Sequence, residues 1–474
     1  MLFFTHFVFD LIVEQTNLYY MQVNAAKPSP MIWFDTCVEE MQAFFGVIIA
    51  MGVVRMPEFD DYWSTDPIFR NSWFSSIFSR DRFKQILRYL HCADNSKRPD
   101  RNAPGYKLFK VQALIDTLNL SFRNLYTPKQ NLSIDESMVG TKCRVSFIQY
   151  MSKKPKKLGI KLWTLCEAET GYCLQFQVYT GKTENDSGEV QAEHGLTYRV
   201  VFDLMKYYFD KGYVVFLDNF YTSYQLFVDL LSKGTGACGT VRSNRFGYPK
   251  QLQGKRKMEK GEAIFYCTNG VTAVRWFDKR DVHALSTIHG NEMVSIPPRR
   301  SENQPVSKPM LIVDYNRYMN GVDRCDQLLT YYALNRRSTK WWKKVFFRLL
   351  DLCIINSMVL YFSMFPEKGA KRQAHKQFRM ELAHELVQPL LDRNAESDSL
   401  RTPCGRPCNS DEVRLKGKHF AISQQPRRRC VVCAYQKGES GKLQNKKTVN
   451  FCPKCNKYVC KDCFEFYHTR STLK

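Results

Sequence analysis

Three segments of the chain place aspartates where an ordinary protein core would not. Asp135 ends the strand-like segment LSID, and Asp218 ends a continuous apolar run, Val214–Leu217, typical of a central strand. Asp323 and Asp326 lie three residues apart on one face of a predicted helix. A carboxylate at the end of a buried strand is costly unless a cation or hydrogen bonds compensate it. Brought together, such residues suit two-metal phosphoryl transfer with Mg²⁺, which prefers oxygen ligands.

Each of these aspartates also has an ordinary explanation. A carboxylate that follows a strand is usually a turn former or a helix N-cap. Asp326 could also form a surface ion pair with Arg324. On residue type and spacing alone, a metal-dependent nuclease is one hypothesis and structural aspartates are the other.

The second group of chemically capable residues lies in the C-terminal tail, which holds eight of the 17 cysteines after residue 400. Three Cys-x-x-Cys pairs followed by a histidine are typical of zinc ligands. These seven residues are Cys430, Cys433, Cys452, Cys455, Cys460, Cys463 and His468. Two complete tetrahedral sites need an eighth ligand, for which we predict His419. One or two Zn²⁺ ions would supply the folding energy of this short tail, and which pairs share an ion stays open.

The net charge of +24, from 70 lysines and arginines against 46 acidic residues, favours an anionic partner. Nucleic acid in the nucleus is the first expectation, and an acidic membrane surface is the alternative. A membrane-spanning helix needs about 20 apolar residues. The best candidate, Leu352–Phe365, is shorter, so we predict a buried core helix. The first 15 residues contain no basic leader and do not resemble a signal peptide.

The spacing of apolar residues predicts the elements that position these side chains. Helical spacing occurs at residues 38–56, 80–91, 110–126, 199–210, 222–233, 315–333 and 341–363. Strand-like segments occur at residues 131–136, 143–150, 160–166, 172–180, 213–217, 263–267 and 271–277. Strands followed by alternating strands and helices indicate an α+β multidomain protein built on a mixed sheet.

The predicted domains follow from these elements and from composition. They are a helical region at 1–130 completed by 333–394, a core at 131–240 and 310–332, a β-rich insertion at 241–309, a polar linker at 395–418 and a Cys-rich domain at 419–474.

Four long motifs occur in a fixed order and resemble the signatures of piggyBac-type transposases. They are LSIDESMVGTKCRVSFIQYMSKKPKKLGIKLW, FLDNFYTS, YNRYMNGVDRCDQL and NRRSTKWW. The resemblance begins near residue 38 and continues through the Cys-rich tail. It implies an RNase H-like catalytic core in which Asp135, Asp218 and Asp323 bind Mg²⁺ or Mn²⁺, with Asp326 as a further acidic position near the site. Members of the family excise their element by nicking and hairpin formation and insert it at TTAA targets.

The resemblance also implies partners and DNA contacts. We expect double-stranded DNA and a second copy of the chain as partners, and no membrane or small-molecule cofactor. A basic strand-loop-strand after the first aspartate would contact phosphates, through Arg144, Lys154, Lys157 and Lys161. Arg336, Arg337 and Trp341 match a family segment close to DNA, where an aromatic ring can stack on unpaired bases. The helical region would bind DNA and dimerise, and the family's Cys-rich domain recognises transposon ends.

Three functions remain open from the sequence. The first is an active metal-dependent transposase, the second is a domesticated DNA-binding protein without mobilisation, and the third is a zinc-dependent protein-interaction factor. Family members usually carry a longer, often acidic N-terminal extension, so a truncated copy or a gene-model fragment is a further expectation. The presence of Asp135, Asp218 and Asp323 permits the first function.

Overall fold

The computed structural model divides the chain into two compact units, Met1–Leu390 and Leu391–Lys474. The structure describes residues 2–28, 33–152, 154–181, 195–254, 257–297, 305–334, 338–400, 419–434, 444–455 and 457–469.

The helices of the first unit surround a mixed sheet. In chain order they are α1 (His6–Ala26), α2 (Val38–Val53), α3 (Ser72–Ile77), α4 (Arg80–Tyr89), α5 (Gln112–Asn124), α6 (Leu196–Met205), α7 (Tyr224–Ser232), α8 (Met310–Tyr318), α9 (Gly321–Tyr331), α10 (Trp341–Met364), α11 (Pro366–Gly369) and α12 (Ala374–Leu400), the last of which crosses the unit boundary. Helix α2 is buried continuously from Met41 to Gly52, as its apolar sequence requires.

Helix α10 is long and apolar enough to cross a bilayer, but 72% of its most apolar window is buried inside the protein. It packs against α5, α9 and β1 (Asn131–Gly140). Its buried polar residues are matched to partners, because Asn356 exchanges hydrogen bonds with the backbone of Cys173 and Asp351 pairs with the fully buried Arg379. The helix therefore forms part of the core.

The central sheet has nine strands. Besides β1 they are β2 (Gln149–Tyr150), β3 (Leu158–Glu167), β4 (Cys173–Val178), β5 (Val214–Leu217), β6 (Gly236–Thr240), β7 (Ala263–Thr268), β8 (Val271–Phe277) and β9 (Asp281–Ser286). Their order is β2-β3-β1-β5-β6-β9-β8-β7, with β4 also paired to β3. Strands β1, β5 and β6 run parallel, whereas β3 is antiparallel to β1 and β4. The mixed sheet that the sequence predicts is therefore present.

The segment 241–309, predicted as a β-rich insertion, adds β7, β8 and β9 to the edge of the central sheet beside β6. It also forms a two-stranded ribbon from β10 (Met293–Ile296) and β11 (Val306–Pro309). Trp276 and Val274 of β8 pack into the same core as Phe216 of β5. The strands of this segment thus share a hydrophobic core with the strand that leads to Asp218.

Three predicted element boundaries are wrong. The predicted strand 143–150 is a strand only at Gln149–Tyr150, because the preceding residues turn. The predicted helix 315–333 is two helices, α8 and α9, separated at Met319–Asn320. The predicted linker 395–418 begins as helix, since α12 continues to Leu400. Residues 401–418 lie outside the described part of the chain.

The described residues of the second unit contain the end of α12, a small antiparallel sheet and a further helix. Its strands are β12 (Ile422–Arg429), β13 (Lys447–Cys452) and β14 (Lys457–Tyr458), and its helix is α13 (Lys461–Thr469). Its buried cluster consists mainly of six cysteines, joined by Val432, Val459 and Tyr467. Such a core is too small to hold a fold by apolar burial alone.

The first turn of α9 lies directly on the sheet because residue 321 is glycine. A Cβ atom at Gly321 would lie 2.3 Å from Ser133 Oγ on β1 and 2.9 Å from Ala168 Cα. We expect Gly321→Ala to lower the free energy of unfolding by about 1–3 kcal/mol through this overlap, as measured by urea denaturation. Gly254→Ala, where nothing lies within 4 Å of the new Cβ atom, serves as the control and should stay within ~0.5 kcal/mol. Equal stability of the two variants would contradict the close approach.

Candidate active site and metal centres

Two of the predicted aspartates lie side by side because of strand register. Strands β1 and β5 are parallel, and Ile134 pairs with Leu217. Asp135 is the next residue of β1, and Asp218 directly follows the last residue of β5, so the two aspartates occupy adjacent positions on neighbouring chain segments. The apolar residues that precede them are fully buried, and this burial fixes the register. The prediction that Asp135 ends a strand is wrong, because β1 continues to Gly140.

The third aspartate approaches from α9. Asp323 lies in the first turn of that helix, which packs on β1 and β3. Lys154 Nζ lies 3.4 Å from Asp135 Oδ2 and 3.5 Å from Asp323 Oδ1. The side chain of Asp323 is 64% exposed, whereas those of Asp135 and Lys154 are only 16% and 19% exposed. One ammonium group therefore bridges two of the three predicted metal ligands.

Burial makes negative charge costly at this site. It raises the pKa of Asp135 to about 8, with a further contribution from a hydrogen bond with Glu136 and an opposing one from Lys154. Burial also raises the pKa of Asp218, although the backbone N–H of Phe220 donates to its Oδ1 at 2.8 Å. The carboxylate form of these aspartates is thus incompletely compensated by the protein.

Glu136, which the sequence analysis did not single out, is also part of this site. Burial would raise the pKa of Glu136, but hydrogen bonding with Asp135 and the ammonium of Lys161 lower it overall. Lys161 Nζ lies 3.0 Å from Glu136 Oε1 and within 5.0 Å of the centre of the Phe220 ring. The predicted DNA contact Lys161 is therefore engaged in an ion pair beside the aspartates. A second carboxylate directly after Asp135, within a strand that is mostly buried, was the signal that could have identified Glu136.

Asp326 is held differently from Asp323. Its Oδ1 accepts hydrogen bonds from Ser137 Oγ at 2.6 Å and from the guanidinium of Arg348. Arg348 also donates to Ser137 Oγ at 2.6 Å. The surface ion pair with Arg324 considered from the sequence is therefore wrong, because Asp326 points to Arg348 on α10 instead.

The remaining predicted DNA contacts are dispersed. Arg144 and Lys157 are exposed. Trp341, at the start of α10, is half-buried and packs edge-to-face on Phe147 with ring centroids 5.2 Å apart. Arg336 and Arg337 lie outside the described residues.

The predicted zinc ligands come together in two complete sets of four. Cys430, Cys433, Cys460 and Cys463 form one set, and the donor atoms of each set all lie within 4.8 Å of one another. The second set is His419, Cys452, Cys455 and His468. Along the chain the ligands alternate between the two sets, so the pairing is cross-braced. Each set could hold a metal ion, and four thiolates or two thiolates with two imidazoles are donor sets that suit zinc.

The second set has histidine orientations appropriate for metal binding. His419 Nδ1 lies 3.5 Å from Cys452 Sγ and 3.3 Å from Cys455 Sγ. His468 Nδ1 lies 2.8 Å from the carbonyl oxygen of Phe464. A hydrogen bond from Nδ1 to this oxygen orients the ring and makes Nε2 the ligand atom.

The aspartates supply the type of ligand that a hard cation prefers, but in this structure their oxygen atoms do not lie close enough together to form a ligand set. Among the described residues, the only sets with three or more donor atoms within 4.8 Å are the two in the C-terminal unit. The ammonium of Lys154 stands between Asp135 and Asp323. Carboxylate oxygens are nevertheless the ligands that Mg²⁺ prefers, and two of the three, those of Asp135 and Asp218, carry charge that the protein compensates incompletely.

Comparisons with known proteins place the chain among the transposases. A family model described as "Transposase IS4" matches residues 1–358, so the chain belongs to this transposase family. The resemblance to piggyBac-type proteins is confirmed by the relatives. The chain is 27% identical to human PiggyBac transposable element-derived protein 3, over 99% of this chain and 75% of that protein. It is also 27% identical to human PiggyBac transposable element-derived protein 2, over 92% of this chain and 72% of that protein.

A solved structure is similar over nearly the whole chain. It is described as the cryo-EM structure of a piggyBac transposase synaptic complex with hairpin DNA. The sequences are 26% identical, the TM-score is 0.72, and the match covers 97% of this chain and 94% of that chain. This chain therefore has the α+β fold of a piggyBac transposase.

The two Cys/His sets predict a zinc content that mutation should change in steps. The full-length protein should contain two Zn²⁺ per chain, one for each set. Cys455→Ser should reduce the content to one, because only the second set loses a ligand. Zinc is measured by mass spectrometry of the metal after exhaustive dialysis. The control is Cys267→Ser, which alters an exposed cysteine on β7 and should keep two. An unchanged zinc content in Cys455→Ser would refute this assignment.

Proposed function

We propose that this chain is a cut-and-paste DNA transposase that uses Asp135, Asp218 and Asp323 to cleave and join DNA strands. The supporting observation is the register of β1 and β5, which places Asp135 beside Asp218, while Lys154 links Asp135 to Asp323. The central strand order supports an RNase H-like core, since antiparallel strands β4, β3 and β1 continue into parallel β5 and β6.

The proposed chemistry divides between the protein and the cations. Mg²⁺ or Mn²⁺ ions bound at the site would activate the attacking oxygen and stabilise the leaving oxygen. Asp135 and Asp218 would hold their carboxylates at fixed positions on buried strands, and Asp323 would complete the ligand set from α9. Asp135 and Asp218 are positioned by buried strands, whereas binding of a cation would require the ammonium of Lys154 to move from between Asp135 and Asp323.

DNA is the substrate that the charge and the similar structure favour. The chain carries a net charge of +24, and exposed Arg144 and Lys157 flank the site segment. The similar piggyBac structure is a synaptic complex with hairpin DNA, which supports DNA as the substrate and a hairpin intermediate for this chain. TTAA target sites and a homodimer are part of the proposal through the resemblance to piggyBac-type transposases. The proposal includes a nuclear location, in keeping with the net charge of +24 and a DNA substrate.

The C-terminal unit is proposed to recognise transposon ends with two zinc ions. Strand β12 is an edge strand whose residues are all exposed. It carries three consecutive arginines, Arg427, Arg428 and Arg429. Zinc binding would stabilise the surface that carries these arginines. Arginine side chains commonly contact DNA phosphates.

A domesticated DNA-binding protein is the second candidate. The human relatives are described as derived from transposable elements, which favours proteins that have left the mobile element. This candidate predicts salt-sensitive DNA binding without strand cleavage.

Asp218→Asn separates the two candidates. The wild type should nick a matched transposon-end duplex in Mg²⁺ and release hairpin products. The variant should lose at least ~10³-fold in cleavage rate and keep its DNA affinity, because the amide is nearly isosteric but a weak cation ligand. Asp203→Asn removes an exposed acid on α6 and should cleave as the wild type does. Tight binding without cleavage by any of the three proteins would favour the second candidate, and equal loss of binding and cleavage would contradict the catalytic role.

The position of Lys154 predicts that its ammonium group competes with divalent cations for Asp135 and Asp323. Lys154→Met removes a positive charge 3.4 Å from Asp135 and 3.5 Å from Asp323, so divalent cations should bind more tightly. The expected gain is about tenfold, a change equivalent to ~1.4 kcal/mol, measured by Mg²⁺ displacement of Tb³⁺ luminescence without DNA. Lys157→Met, an exposed lysine of the same loop, should leave the affinity unchanged. Weaker cation binding by Lys154→Met would show that the lysine supports the site instead.

A further inference from the structure

The most exposed large apolar side chain among the described residues is Phe246, at 96% exposure. It lies in a turn of the segment between β6 and β7. A single exposed apolar residue is common on protein surfaces and needs no explanation by itself. Phe246 differs because its backbone is fixed and because the turn is attached to the residues that follow Asp218.

Hydrogen bonds attach this turn to the proposed active site. Arg245 Nε donates to the carbonyl oxygen of Thr222 at 3.0 Å, and one of its terminal nitrogens donates to that of Phe220 at 2.6 Å. The N–H of Arg245 also donates to the carbonyl oxygen of Arg242 at 2.9 Å. The guanidinium next to Phe246 is therefore bound to the segment that begins immediately after Asp218.

The two residues that follow Phe246 are also constrained. Gly247 has a φ of 78°, and a Cβ atom there would lie 2.9 Å from Tyr224 Cβ. Tyr248 is 4% exposed, and its hydroxyl donates to the carbonyl oxygen of Val274 at 3.0 Å. Phe246 thus projects from a turn whose two neighbours are anchored, so little conformational entropy would be lost when the ring binds a partner.

The charges of the turn favour nucleic acid over protein as that partner. Residues 241–254 contain Arg242, Arg245 and Lys250 and no acidic residue. Arg242 is close enough to Asp218 to oppose the rise in the pKa of that carboxyl group. An aromatic ring among cations, beside a site for phosphoryl transfer, has the composition of surfaces on which unpaired bases stack.

We propose that Phe246 stacks on a DNA base that is unstacked next to the cleaved phosphate. This inference rests on the proposed function, because it requires DNA to enter the site of Asp218. An apolar side chain inserted at a base step opens that step, and the cations of the turn would hold the adjacent phosphates. Phe246 is then a positioning residue, since it contacts the substrate beside the reacting phosphate and not the phosphate itself.

The test uses duplexes with 2-aminopurine in place of an adenine of TTAA, at the end of a matched transposon-end probe. All variants carry Asp218→Asn so that the DNA stays intact, and binding is followed by anisotropy. The parent protein should raise 2-aminopurine fluorescence, which reports unstacking. Phe246→Ala should lose most of this rise and bind a probe with an unpaired base about tenfold more weakly, with little change for the fully paired probe. Phe246→Trp should restore both signals.

The matched control is Phe7→Ala, the same substitution at a 64% exposed phenylalanine of α1, which should behave as the parent. A full fluorescence rise in Phe246→Ala would overturn the inference, as would a parent that binds DNA with no rise at any TTAA adenine. A change in self-association of Phe246→Ala with unaltered DNA responses would assign the ring to a second copy of the chain and overturn it too. If the parent does not bind DNA at all, the proposed function fails and the inference fails with it.

Discussion

The burial of negative charge within β1 and at the end of β5 is the constraint on which the candidate active site depends. Asp135 and Asp218 follow apolar strand residues that cannot leave the core, so their carboxyl groups cannot move far apart or into bulk water. Raised pKa values at both positions express the cost of this arrangement. Lys154 offsets part of the cost, and a divalent cation would offset more of it. The large hydrophobic core of the first unit supports this local cost.

Metal ions are expected to have different roles in the two units. The first unit has an extensive apolar core, so its fold does not need the cation that its aspartates would bind. The second unit buries mainly cysteines, so a metal there replaces the missing apolar core. Loss of metal should therefore stop chemistry in one unit and unfold the other.

The sequence predicted what depends on local pattern. Asp135 and Asp218 could be found because a polar residue interrupts a buried strand, and His419 because seven ligands leave one position unfilled. The pairing of Asp326 with Arg348 could not be found, because it depends on how α9 and α10 cross. Likewise, the spacing of apolar residues did not reveal that 315–333 is divided into two helices, the second of which begins at Gly321 against Ser133 on β1.

The different surroundings of Asp323 and Asp326 indicate how one helix can serve both structure and chemistry. Asp323 is largely exposed and forms an ion pair with the ammonium of Lys154. Asp326 accepts from Ser137 on β1 and from Arg348 on α10, and removing it would leave a guanidinium without its carboxylate, which is strongly destabilising. Asp326 therefore ties α9 to β1 and α10, and that tie fixes the position from which Asp323 reaches the other two aspartates.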